Sequence, residues 1–129
     1  MKNLFILIGL LTSLFACGQK DDVIKEPTLV GTWKLIEMIE IGAPVAGNVT
    51  KYENGKTIRF GADGSYTDST FDCKGTFSAD TSDLKVNIPC STEKNLRYKF
   101  NLENAETLHL TLIPSPCDEG CYYVFKKLK

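Results

Sequence analysis

The sequence predicts an all-β fold, with a small eight-stranded antiparallel up-and-down β-barrel as the favoured architecture and a two-sheet sandwich as the second choice. Three observations predict it. From Leu29 onward, no stretch keeps a helical period for more than a few residues. Short runs of β-forming residues are instead separated by Gly, Pro, Asn and Asp, and the longest runs alternate apolar with polar side chains. This alternation is typical of an antiparallel sheet with one buried face, and closing the sheet removes its exposed edges.

The first predicted strand covers residues 30–39 and places Trp33 and Leu35 on one face. Residues 42–55 contain three glycines and Pro44, so they predict a loop and not a helical lid. Between the next two strands, Ala62-Asp63-Gly64 is typical of a three-residue hairpin loop with Gly64 at the position of positive φ. The seven strands after the first are predicted at residues 57–60, 65–68, 74–79, 84–88, 95–102, 107–113 and 121–128.

Two of these strands show the alternation most clearly. In residues 95–102, Leu96, Tyr98 and Phe100 alternate with charged or amide side chains. In residues 107–113, leucines alternate with His109 and Thr111, so we expect His109 to face solvent. The apolar positions therefore belong to the buried face of the predicted barrel.

The four cysteines after residue 70 are expected to pair, and the strand register indicates how. If residues 74–79 and 84–88 form a hairpin, Ala79 faces Leu84, and the same register brings Cys73 opposite Cys90. A one-residue slip would turn one strand over, so this register is favoured. Opposed residues lie within disulfide range, which predicts a Cys73–Cys90 bridge.

The remaining two cysteines, Cys117 and Cys121, flank the turn Asp118-Glu119-Gly120. Their bridge would close a very short loop. A redox pair or a soft metal site is the alternative, but the spacing C-x₃-C and the single histidine of the chain argue against it. We therefore expect no metal site here.

The N-terminal segment is predicted to direct the chain to a membrane. Lys2 precedes an apolar run, residues 4–16, that is shorter than the roughly 20 residues needed to span a bilayer. The run ends Leu14-Phe15-Ala16-Cys17, which resembles the lipobox of bacterial lipoproteins. The resemblance implies that residues 1–16 are a signal peptide, that Cys17 carries the lipid, and that residues 17–27 tether a domain formed by residues 28–129.

The segment behind that cysteine adds an expectation about location. Lys20-Asp21-Asp22 resembles a surface-export signal of one group of Gram-negative bacteria. The predicted location is therefore the outer membrane, to which the lipid anchor attaches the protein. The export-like segment further predicts that the protein is exposed at the cell surface.

The composition argues against several classes of function. There are 15 basic and 16 acidic residues, for a net charge of −1, so the basic patch needed for nucleic-acid binding is not expected. With one histidine and no nucleophile–base pair, phosphate-binding loop or set of four metal ligands, the sequence predicts neither an enzyme nor a cofactor.

A family resemblance begins at Val30-Gly31-Thr32-Trp33-Lys34-Leu35, which resembles the opening strand of the lipocalin and fatty-acid-binding protein superfamily. With the lipobox, the hairpin around Asp63 and the terminal Cys117-Asp118-Glu119-Gly120-Cys121, the chain resembles the bacterial lipocalin-like lipoproteins, in a short form. The resemblance covers roughly residues 28–129 and implies a barrel that binds a small or apolar ligand.

Two hypotheses of function remain open. In the first, the barrel binds a small hydrophobic molecule, with contacts expected from Trp33, Leu35, Phe60, Tyr66, Phe77, Tyr98, Phe100 and Leu110. In the second, the barrel is filled and the protein is an interaction module, either an inhibitor or a surface-complex accessory with an envelope protein as its partner. There, residues 42–55 and the terminal aromatics would make the contacts.

Overall fold

The structure, a computed structural model, describes residues 28–42 and 48–129. Both ranges belong to the predicted barrel domain. The predictions for the signal peptide (residues 1–16), for Cys17 and for the tether (residues 17–27) lie outside the described residues, and so does the middle of the predicted loop 42–55.

Nine antiparallel strands form the described part of the chain, in which no helix occurs. Their bounds are close to those predicted, because the alternation and the Gly-containing turns that define them are local features. The strands are β1 (Gly31–Glu40), β2 (Asn48–Lys51), β3 (Thr57–Phe60), β4 (Ser65–Asp68), β5 (Gly75–Asp80), β6 (Asp83–Asn87), β7 (Asn95–Asn104), β8 (Thr107–Ile113) and β9 (Cys121–Lys127).

The sheet closes into an eight-stranded barrel through β1. Strand β1 pairs with β3 over its first four residues and with β9 along most of its length, while β3 to β9 pair in chain order. The predicted up-and-down barrel is therefore confirmed. A bulge between Leu35 and Glu37 bends β1 where it changes from one neighbour to another.

The sequence predicted only a loop for residues 42–55, and this prediction is wrong because strand β2 lies within that range. Strand β2 pairs with the second half of β1, with Glu37 opposite Lys51 and Glu40 opposite Asn48. Strands β2 and β3 thus follow each other along the same side of β1. The four residues of β2 are exposed and have no apolar face pattern, so only the neighbouring backbone of β1 reveals the strand.

The hydrophobic core includes Trp33 and Phe60. Trp33 is fully buried, and its indole Nε1 donates a 2.7 Å hydrogen bond to the carbonyl oxygen of Leu29. The Lys127 ammonium lies 5.2 Å from the centre of the Trp33 ring. Phe60 belongs to the same core and contacts Tyr66 and Phe77 at ring-centre distances of 5.3 and 4.9 Å. These buried side chains pack as one cluster.

Both predicted disulfides are confirmed. Cys73 is bonded to Cys90 across the ends of β5 and β6, whose register pairs Phe77 with Val86 and Ala79 with Leu84 as expected. Cys117 is bonded to Cys121 around the turn before β9.

Candidate functional site

A pocket of about 210 Å³ lies inside the barrel, lined by residues other than Trp33. Its walls come from five strands, β3, β4, β7, β8 and β9, with Lys56 just before β3, so it exists only in the closed barrel. One side chain, that of Lys56, is 37% exposed and marks the side on which the pocket reaches solvent. The lining residues are Lys56, Ile58, Tyr66, Tyr98, Leu110, Leu112, Tyr123 and Phe125.

The strand register brings the central lining residues side by side. Tyr98 of β7 pairs with Leu112 of β8, and Leu110 of β8 pairs with Tyr123 of β9. Residues paired in adjacent strands point to the same face of a sheet. The alternation of β7, β8 and β9 therefore aims these four side chains into the barrel.

An ion pair sits at the polar end of the pocket. Lys56, immediately before β3, donates from Nζ to Oδ2 of Asp68 at 2.8 Å. The Asp68 side chain is only 3% exposed, and it also accepts hydrogen bonds from the Tyr66 hydroxyl at 3.3 Å and from the Thr70 backbone N–H at 2.9 Å. Burial by itself would raise the pKa of Asp68, but the hydrogen bonds from Lys56 and Thr70 hold that pKa below its usual value. Asp68 is therefore an ionised carboxylate inside the barrel, with its charge stabilised by protein donors.

The tyrosines of the pocket are kept protonated. Burial, with the nearby Asp68 carboxylate, raises the pKa of Tyr98 to about 12. The same two causes raise the pKa of Tyr66, and burial also raises that of Tyr123. These hydroxyls consequently remain neutral hydrogen-bond donors at all physiological pH values.

The structure gathers three of the eight predicted ligand contacts into this pocket: Tyr66, Tyr98 and Leu110. Trp33, Leu35 and Phe60 lie in the hydrophobic core, and Phe77 packs on Phe60. Phe100 also packs against the core without lining the pocket. For these five residues the role as ligand contacts stays a prediction: alternation identified the inward face, but they do not line this pocket.

Sequence reasoning missed the polar members of the site. Lys56 lies just after the segment predicted as loop, where nothing local marks it as a barrel residue. Asp68 carried a usable signal, since it is two residues after Tyr66 on a strand and must share its face. An aspartate at an inward position requires a partner, and Lys56 is that partner.

A larger groove of about 350 Å³ lies across β5, β6 and β7 but on the outside of the sheet. Three of its nine lining residues, Phe77, Val86 and Leu96, are apolar, and they alternate along the strands with the other six, which are polar. The six polar residues are Thr76, Ser78, Lys85, Asn87, Asn95 and Arg97. The groove is more open to solvent than the interior pocket.

Three further observations concern His109, metal ligands and membrane-spanning helices. His109 lies partly exposed beside the outer sheet surface, 3.4 Å from the Glu103 carboxylate and against the Tyr122 ring. Among residues 28–42 and 48–129, no group of three or more His, Cys, Asp or Glu side chains is arranged to hold a metal ion. In the same part of the chain, no helix has the length and apolarity required to cross a membrane.

Two comparisons with known proteins found similar proteins. A family model described as a lipocalin-like domain matches residues 29–128. Among solved structures, a lipocalin-like protein from Bacteroides uniformis ATCC 8492 is similar, with a TM-score of 0.45 and 17% sequence identity over 78% of this chain and 98% of that chain. No curated protein matches the sequence.

Proposed function

The chain belongs to the lipocalin-like domain family, and on this premise we propose that it binds a small, mainly apolar molecule inside the barrel. The observation that carries the proposal is the interior pocket of about 210 Å³ with apolar walls and a few convergent polar groups. This combination is typical of small-molecule sites. Ile58, Leu110, Leu112 and Phe125 supply the walls.

The hydroxyl groups of Tyr98 and Tyr123 also support the proposed ligand binding. Within the described ranges, neither hydroxyl has a protein hydrogen-bond partner, and no buried polar side-chain atom is left unsatisfied. Both hydroxyls are therefore accessible, and since Tyr98 and Tyr123 line the pocket, we assign these hydroxyls as donors to a ligand.

Toluene, a compact apolar probe, tests the proposal by amide chemical-shift titration. We expect saturable shifts confined to the amides around residues 98, 110, 112 and 123. Leu112→Trp should abolish them by filling the pocket, whereas the matched control Leu128→Trp adds the same ring at an exposed position and should retain them. Absence of saturable shifts in the wild type, or equal shifts in Leu112→Trp, would refute interior binding.

We also propose that lipid on Cys17 anchors the barrel to the outer membrane. The supporting observation is the lipobox-like sequence ending at that cysteine, followed by the short polar segment 18–27. Cys17→Ser should release the protein from the membrane fraction. Replacing Lys20, Asp21 and Asp22 by alanine should leave it in that fraction and remove its accessibility to external protease. Retention of Cys17→Ser in the membrane would count against the anchor.

One observation favours the second candidate function, a protein-interaction module. Strand β2 is fully exposed and pairs only with β1 among the strands of the described chain, and Val49 and Ile41 near it are 46% and 55% exposed. An open strand edge can accept a strand from another protein. A photo-crosslinker at position 49 that captures one defined envelope protein, with none captured from position 67 on β4, would favour this candidate if toluene binding fails.

A further inference from the structure

We infer that the interior pocket selects an uncharged, compact molecule that carries one hydrogen-bond acceptor, and that it discriminates against carboxylates such as fatty acids. This inference rests on the proposed ligand binding and specifies its chemical class. Three properties of the pocket lead to it: its size, its net charge and its donors.

The size limits the ligand to about one substituted ring. A cavity of about 150 Å³ lined by apolar side chains holds a benzene molecule, and this pocket measures about 210 Å³. The space left beside a ring of that size accommodates a short substituent. A long acyl chain cannot extend from the pocket into the core, because Trp33 and Phe60 are fully buried there.

The charge of the polar end is already balanced. The Lys56 ammonium faces the buried Asp68 carboxylate at 2.8 Å, so the two contribute no net charge to the pocket. A ligand carboxylate placed there would lie close to that of Asp68 and would lose its hydration without gaining an unpaired cation. Burying a charge under these conditions is strongly unfavourable.

The remaining polar groups are hydrogen-bond donors. Asp68 already accepts three hydrogen bonds, so little of its acceptor capacity is left for a ligand. Lys56 uses one of its three N–H groups on Asp68 in the hydrogen bonds of the described chain, and the Tyr98 and Tyr123 hydroxyls are open to the pocket. A carbonyl, ether or hydroxyl oxygen on an otherwise apolar ligand satisfies these donors.

Four probes of similar size test the effects of ligand charge and of a hydrogen-bond acceptor separately: acetophenone, ethylbenzene, benzoate and benzylamine. Each is titrated into the protein at neutral pH, and its dissociation constant is measured from amide chemical shifts. We expect acetophenone to bind most tightly, and benzoate and benzylamine at least about tenfold more weakly, a difference of about 1.4 kcal/mol. Ethylbenzene, which lacks an acceptor, should bind about fivefold more weakly than acetophenone, because it leaves the pocket donors without a partner.

Two sets of variants test the assigned groups. Tyr98→Phe and Tyr123→Phe each remove one hydroxyl and should lower the preference for acetophenone over ethylbenzene. The matched control Tyr122→Phe changes a tyrosine packed on His109 outside the pocket and should leave that preference unchanged. Asp68→Asn leaves the Lys56 charge unbalanced, so benzoate should gain affinity relative to acetophenone. A purely structural role of Asp68 would not produce this reversal.

The outcomes distinguish a failure of the inferred ligand class from a failure of interior binding itself. Benzoate binding as tightly as acetophenone to the wild type overturns the inferred ligand class while leaving interior binding intact. An unchanged benzoate-to-acetophenone ratio in a folded Asp68→Asn protein also overturns it. Failure of all four probes, together with failure of toluene, overturns both the ligand class and interior binding.

Discussion

Lys56 and Asp68 are joined by a 2.8 Å hydrogen-bonded ion pair that links the start of β3 to the end of β4 across the polar end of the pocket. The two residues are unequal, since the lysine is partly exposed and the carboxylate is buried. The pair ties together two paired strands that both contribute to the pocket wall. Its loss should therefore affect both stability and ligand choice.

Asp68→Asn should lower the free energy of unfolding at neutral pH by about 1–2 kcal/mol, since a hydrogen bond to a charged group is lost but the exposed partner is already screened by water. Urea denaturation measures the change. The exposed Asp72→Asn is the control and should change the stability little. Equal effects of the two substitutions would contradict a special role for Asp68.

The same carboxylate predicts how stability depends on acid. Because the pKa of Asp68 is lowered in the folded chain, its ionised form stabilises the fold above the ordinary value of 3.8, and this stabilisation is lost as the pH falls through the folded pKa. The wild type should therefore lose stability in strong acid more steeply than Asp68→Asn. Denaturation midpoints of both proteins, measured across that acidic range, show how steeply stability falls with pH. Parallel pH dependences of the wild type and Asp68→Asn would refute the prediction.

The raised pKa of Tyr98 predicts a loss of stability in alkali, opposite in direction to the loss in acid expected from Asp68. The pKa of Tyr98 rises from 10.0 to about 12 in the folded protein, so the neutral phenol stabilises the fold below pH 10.0 and that stabilisation is lost as the pH rises towards about 12. Tyr98→Phe should lose less stability over this interval. Tyrosinate absorbance and circular dichroism recorded together provide the measurement, with Tyr122→Phe as the control that should behave like the wild type.

The two disulfides should differ in their effect on stability. They bridge sequence separations of 17 and 4 residues, and closing the longer loop restricts the unfolded chain more. On the chain-entropy relation, replacing Cys73 and Cys90 by alanine should cost about 3 kcal/mol, against about 2 kcal/mol for Cys117 and Cys121. Urea unfolding of the two double variants tests the order, and a larger loss from the shorter loop would contradict it.

Gly55 is expected to be essential for the position of Lys56. A Cβ atom added at Gly55 would collide with the backbone oxygen of Leu35, which belongs to β1. The Leu35 backbone N–H donates to the Lys56 carbonyl oxygen at 2.9 Å, so this close approach fixes the start of β3. Gly55→Ala should destabilise the fold by about 1–3 kcal/mol and weaken probe binding, whereas the exposed neighbour Asn54→Ala should do neither. Thermal unfolding and the acetophenone titration measure both effects.

Much of the fold is determined by local sequence features. Period-two alternation identified the inward faces of β7 and β8, and the short hairpin between β5 and β6 fixed a register that placed Cys73 opposite Cys90. Strand β2 escaped prediction, since its exposed residues carry no face pattern and its pairing partner β1 is supplied by the closed sheet. The face of a side chain and the register of a tight hairpin are decided by neighbours in sequence.

The pocket depends on contacts that sequence neighbours do not determine. Trp33 and Tyr98 both face inward by alternation, yet one is sealed in the core and the other borders a cavity. Their heights in the barrel depend on the stagger of eight strands around the closed sheet. The sequence by itself determined the strands, their buried faces and the disulfide pairing. Only the closed barrel decided which inward residues surround empty space, and that Lys56 reaches Asp68, because both depend on strand stagger and long-range pairing.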